Sequence, residues 1–438
     1  MASGTTAIRG PALTYTGDPF LSGLAATMRY ESDAIIAMED GKITHFGPAR
    51  DVRDALPPGT TVENLGKDTL TMAGFIDCHV HYPQTQMIGA FGGQLTDWLN
   101  RHTFVAEQQF ADPEHAREAA RVFLRECLRA GTTTASVYCT VHPQSADAFF
   151  EESEALGTRM IAGKVLMDRN APETLIDTPK RGYDESKALI GKWHGKGRQL
   201  YAVTPRFAPT STPEQMAVTG ALWNEHPGTY LQSHIAETRD EAAWVASLYP
   251  DRSGYLDVYD HYRLLGKRAI YGHGIWLTEA ELQRCHETGT AIAHCPTSNF
   301  FLGSGYFNVA NAKKAARPVR VGLATDLGAG TSFSMLQTLN EAHKVARMTG
   351  HHLTASRMFW LATAGAAQAL GLEETIGTLR PGAEADFIVL DPEATPLLAR
   401  RTALAQSPEE WLFAFAMLGD DRAVLATYAA GSEAHRRA

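Results

Sequence analysis

Eight short apolar runs, spaced along the middle of the chain, constrain it more than any other feature. They are Gly74–His81, Thr132–Cys139, Met160–Met167, Leu200–Phe207, Thr229–Ile235, Ala269–His273, Ala291–Cys295 and Val319–Asp326. Most lack polar alternation, which is the pattern of parallel strands covered on both faces. Helical signals separate them. Asp112-Pro113 supplies an N-cap and a proline at the first helical position, and Ala116, Ala120, Phe123 and Cys127 follow at helical spacing. Thr212 with Gln215, and Thr278 with Glu281, read as capping-box starts of further helices. Eight strand–helix alternations predict an α/β chain built on a (β/α)8 TIM-type barrel.

The two ends of the chain read differently. Asp33–Met38 and Lys42–Phe46 flank Asp40-Gly41, a strong hairpin signal. Ala385–Leu390, after Pro381-Gly382, and Ala423–Ala429, before Gly431, are β-rich as well. The ends are expected to meet in one small β-sandwich-like domain, as domain termini often do. The expected division is 1–68 for the first part of that domain, 69–375 for the barrel and 376–438 for the second part.

In such a barrel the chemistry collects at the C-terminal ends of the strands. The first run ends in His79 and His81, two residues apart and so on one face of a strand. The fourth ends in Arg206, the fifth in His234, the sixth in His273 and the eighth in Asp326. His79, His81, His234 and Asp326 form a three-nitrogen, one-oxygen donor set suited to zinc or iron(II), with a position left for water. Such an ion brings the pKa of a bound water down towards about 7 and yields hydroxide at neutral pH. Glu237, three residues after His234, is placed to carry a proton from attacking water to a leaving nitrogen. Its alternative is a first-turn glutamate that satisfies a helix dipole. His273 reads as a group that steadies the bound water, with a fifth ligand as the alternative. The fourth run offers no lysine that could bridge a metal pair, and Lys164 lies on the third run. One metal ion is expected.

Composition narrows the surroundings. Hydrophobic residues make up 44% and charged residues 20%, which fits an ordinary globular protein. The net charge of -9, with no dense Lys/Arg run, argues against a nucleic-acid partner. No stretch of about 18 apolar residues occurs, so no membrane partner is expected. The N-terminus lacks the apolar segment of a signal peptide. Cys78, Cys127, Cys139, Cys285 and Cys295 are scattered without a CxxC pair, which predicts a reducing compartment and a cytoplasmic protein.

The motifs then converge on a known family. The HxH after GFID, SHIAE, YGHG and ATD resemble the amidohydrolase superfamily, and PGAEADFIVLD resembles its small β-domain. HYPQTQMIGAFGGQLTDWLNRHTFVAEQQF, TPRFAPT, AHCPTSNFFLGSG and GLATDLGAGTSFSM are similar to the guanine deaminase family within it, and they span almost the whole barrel. One departure is Ala73, where the family usually carries proline. The resemblance implies zinc ligands at His79, His81, His234 and Asp326, a proton-shuttling Glu237, and purine contacts at Gln84, Arg206 and Phe207. The side chains suit those roles. A glutamine amide both donates and accepts at a purine edge, an arginine is a fixed fork of donors, and a phenylalanine lies against a flat ring. An arginine–carboxylate strut and plain core packing are the alternatives for Arg206 and Phe207, and Trp98 is either a ring-stacker or a lid residue. The loops 88–110 and 300–307 are the candidates to close over substrate.

The reaction so implied is hydrolytic deamination of guanine to xanthine, with metal-bound hydroxide attacking the amine-bearing carbon. Asp326 and His273 would position it and Glu237 would shuttle protons. The resemblance also implies a homodimer and a place in purine catabolism. Two rival readings accompany this one: an aminohydrolase for 8-oxoguanine, a pterin or a triazine, and a non-catalytic scaffold on the same barrel. A scaffold would not need an intact ligand set.

Overall fold

A computed structural model describes residues 4–91 and 95–437; the segment 92–94 of the expected 88–110 loop, and the extreme termini, lie outside it. The chain begins with β1 (Thr6–Tyr15), β2 (Met28–Glu39), β3 (Lys42–Pro48), β4 (Thr61–Asn64) and β5 (Leu70–Ala73). The barrel follows as β6 (Phe75–His81), β7 (Thr132–Tyr138), β8 (Arg159–Gly163), β9 (Val165–Leu166), β10 (Leu200–Pro205), β11 (Tyr230–Ile235), β12 (Ala269–His273), β13 (Ala291–His294) and β14 (Arg320–Leu323). The last three strands are β15 (Phe387–Leu390), β16 (Val424–Ala429) and β17 (Ser432–Arg436). Every one of the eight apolar runs carries a barrel strand, and the third run is broken into β8 and β9.

The barrel strands pair in parallel in the order β6, β7, β8, β10, β11, β12, β13, β14, with β9 against the end of β10. Helices cover them from outside and cap as the sequence predicts. Asp112 accepts from the Glu114 N–H, Thr212 from that of Gln215, and Thr278 and Glu281 close a reciprocal box. The ring is completed where β14 meets β6. There the Asp326 N–H donates to the His79 carbonyl at 3.0 Å, and the buried Asp77 carboxylate accepts from the Thr325 hydroxyl and from the Thr325 and His79 N–H groups. Asp77 thus ties the first strand to the last just below the mouth.

The expected sandwich-like domain takes the form of one eight-stranded, mostly antiparallel sheet in the order β17, β16, β15, β5, β1, β2, β3, with β4 beside β1. Both ends of the chain build it, and the Asp40-Gly41 hairpin joins β2 to β3. Leu70–Ala73, which opens the segment assigned to the barrel, pairs with β15 and β1 in this sheet. Arg159 and Arg198 of the barrel hold Glu384 and Asp386, just before β15, in a half-buried ionic cluster. Among the described residues no helix is long and apolar enough to cross a membrane.

Candidate active site

The strand ends bring together nearly every side chain singled out in the sequence. His81, Gln84, Arg206, Phe207, His234, Glu237, His273 and Asp326 line one pocket, with Trp98, Leu99 and Thr103 from the 88–110 segment and Leu302 from the 300–307 segment as its outer walls. His79 lies beneath, its Nε2 3.5 Å from Asp326 Oδ1. A larger outer cavity of about 690 Å³ adjoins this pocket through Leu99, Phe207 and Leu302. Both segments that were candidates to close over substrate thus contribute side chains to the pocket.

The donor atoms converge. The Nε2 atoms of His81 and His234 lie 3.1 Å apart, and the facing atoms of His79, His81 and His234 all fall within 4.8 Å of one another. The buried His79 Nε2 has no hydrogen-bond partner. Buried polar atoms are rarely left so, and imidazole nitrogens aimed at one another and at a carboxylate fit a cation between them. Burial holds His81 and His234 well below the ordinary histidine range, which keeps them in the neutral form that ligates. Burial works against ionisation of Asp326, yet the His79 ring beside it, with His273 and His81 close by, holds it well below the usual carboxylate range. Cys295, which sequence reasoning left as a plain thiol, lies with His79, His273 and Asp326 in a second group of mutually close donor atoms.

Neighbours fix the orientation of these groups. His234 Nδ1 donates to the Arg206 carbonyl at 2.7 Å, which leaves Nε2 to face His81. His273 Nδ1 donates to Asn299 Oδ1 at 2.8 Å, and its Nε2 lies 3.4 Å from Glu237 and 3.7 Å from Asp326. The other Glu237 oxygen accepts from the Ser304 hydroxyl at 2.8 Å. Burial pushes the Glu237 carboxyl up to about 7 against the pull of His273. That pull is mutual: burial disfavours the proton on His273, but Glu237, Asp326 and Asn299 outweigh it and raise its pKa.

Backbone strain gathers at the same place. Ala236, His273 and Asp326 all adopt positive φ, at 47°, 78° and 49°. Such conformations are uncommon away from glycine and cluster at functional sites. Gly272, registered opposite His234, is required for another reason, because a Cβ there would stand 2.5 Å from the His79 ring.

Sequence reasoning missed several groups. Glu107 is fully buried, and both its oxygens accept from Arg206 Nη1 at 2.8 Å, so the carboxylate strut weighed for Arg206 exists in addition to its place on the pocket wall. Asn299, Ser304 and Glu241 were also missed. Glu241 was the most accessible of these, because Thr238 with Glu241 is a capping box of the same kind as Thr278 with Glu281.

Comparison with known proteins identifies the family. The amidohydrolase family model matches residues 70–433. The guanine deaminase of Escherichia coli K12 is 49% identical over 414 residues, 94% of either chain. A crystal structure of guanine deaminase from Bradyrhizobium japonicum superposes with a TM-score of 0.97 at 35% identity, covering 99% of this chain and all of that one. The C. acetobutylicum guanine deaminase, crystallised with guanine in its active site, gives a TM-score of 0.85 at 25% identity over 98% of this chain and 99% of its own. This chain belongs to the amidohydrolase family and, within it, to the guanine deaminases.

Proposed function

We propose that the chain hydrolyses guanine to xanthine and ammonia with one zinc ion held by His79, His81, His234 and Asp326. The observation that carries this reading is the convergence of three imidazoles and a carboxylate at, and just beneath, the floor of a pocket whose walls include Gln84, Arg206 and Phe207. Zinc in that place supplies a Lewis acid that brings a coordinated water towards a pKa of about 7. Iron(II) suits the same donors.

The protein's own groups do the rest. Arg206 donates to the purine's oxo group, Gln84 pairs with an edge that both donates and accepts, and Phe207 lies against the ring. The amine-bearing carbon is thereby presented to water beside Asp326 and His273. Glu237, with a carboxyl raised to about 7, takes a proton from the attacking water and passes it to the ring nitrogen, then takes that water's second proton from the new C–OH group and passes it to the departing amine, which leaves as ammonia. A C–O bond forms, the C–N bond breaks, and one water is consumed for each ammonia released.

The same reading makes the protein a cytoplasmic homodimer in purine catabolism, with no nucleic-acid or membrane partner, and with the division into barrel and small domain shifted so that Leu70–Ala73 belongs to the small domain. Light scattering on the eluted protein tests the dimer. His79→Ala tests the site: metal content and ammonia release are both expected to fall to background. Guanine turnover that persists without bound metal would refute the mechanism.

A further inference from the structure

We infer that Glu107 is a positioning residue for substrate selection, fixing the Arg206 guanidinium so that the pocket prefers purines with an oxo group on the six-membered ring. This rests on the guanine reading above and names the group that tunes it.

Glu107 and Arg206 are both buried, at 0% and 3% side-chain exposure. Two charges are taken out of water together only where their geometry compensates for lost hydration. Here both carboxylate oxygens accept from Nη1, each at 2.8 Å, which turns that nitrogen towards Glu107. Nε and Nη2 make no hydrogen bond to any described residue, so three donors remain on the side of the fork available to a ligand. Arg206 lines the pocket and Glu107 does not. The carboxylate therefore stands behind the arginine.

Phe104 adds a second restraint. It lies one helical turn before Glu107, and its ring centre is 5.7 Å from the Arg206 guanidinium carbon. One short helix thus supplies a carboxylate at one end of the guanidinium and a ring beside it. The ion pair is neutral as a unit, so it offers directed donors without the excess positive charge that would favour an anion. A neutral heterocycle with a carbonyl acceptor is the ligand such a fork selects.

The test compares two ligands that cannot be deaminated: hypoxanthine, which has the oxo group, and purine, which lacks it. In Glu107→Gln, the inhibition constant of hypoxanthine is expected to weaken about tenfold and that of purine less than about twofold. KM for guanine rises in step while kcat falls less than about threefold and metal content stays unchanged. Glu107→Asp, which keeps the charge but shortens the reach, is expected to show the same pattern in milder form. Equal weakening of both ligands, an unchanged KM, or loss of metal would overturn the inference. Should E107Q fail to fold, E107D decides by the same criteria; if neither folds, the pair is a structural strut and the inference falls. A wild-type protein that does not turn over guanine fails the functional reading instead, which separates the two failures.

Discussion

Two carboxyl groups a few ångströms from the same imidazole are driven in opposite directions. Glu237 is pushed up to about 7 by burial, while Asp326 is held low by the histidines around it. Such divergence fits the proposed acid–base role of the first and charge-bearing role of the second. Glu237→Gln is expected to lower kcat by roughly 10²- to 10⁴-fold with metal content retained, read by ammonia release and metal analysis on one sample. The pH profile follows with a definite sign. Glu237 must begin ionised to take the water's proton, so kcat/KM rises with pH as the carboxyl deprotonates. That limb lies between the ordinary glutamate value and about 7, and it is expected to vanish in the glutamine variant. Side chains at strand ends were legible in the sequence because their strand positions alone aim them at the mouth. Glu107 and Ser304 were not, since they meet Arg206 and Glu237 across 99 and 67 residues of chain. Nothing in local spacing announces such a contact.

Among the elements, the barrel strands were readable because burial on both faces leaves a run without alternation, and that pattern survives in the sequence. The short pairing partner β5 was harder, since Leu70–Ala73 runs almost without break into β6 and only its pairing with β15 and β1 separates the two sheets. Two strands carry predictions of their own. On β12, Gly272→Ala pushes a methyl group into the His79 ring and is expected to weaken metal binding by about tenfold or more, measured by competition with a chelator. On β13, His294 is fully buried, neither ring nitrogen has a partner, and burial brings its pKa down to about 3. An unfolded histidine titrates near 6.5, so below that pH the unfolded chain takes up a proton that the folded chain refuses. Stability therefore falls as pH drops from about 6.5 towards 3, by about 2 kcal/mol between pH 7 and pH 5. In His294→Leu that contribution disappears. Urea unfolding at the two pH values should show a smaller loss for the variant than for the wild type, and identical losses would refute this account.

At the scale of the molecule, the small sheet and the barrel are joined at the end of the barrel away from the mouth. Arg198 holds Glu384 and Asp386 there, with Asp386 almost fully buried. Arg198→Ala leaves the buried Asp386 without its ionic partner, while Glu384 keeps Arg159, and is expected to cost about 3 kcal/mol in urea unfolding. Guanine turnover below the unfolding range should stay within about twofold of wild type, because nothing in the cluster reaches the pocket. The division into barrel and satellite sheet was legible from the β-rich ends of the chain, whereas this joint was not, since it pairs residues brought together only by the closed barrel. The central claim is the reaction itself, and one measurement bears on it most directly: ammonia release by the zinc-loaded protein offered guanine, adenine, 8-oxoguanine, cytosine and a pterin in parallel. The account predicts rapid release from guanine, with xanthine as the product and at least about a hundredfold preference over the others. Silence on guanine, or faster turnover of another heterocycle, would contradict it.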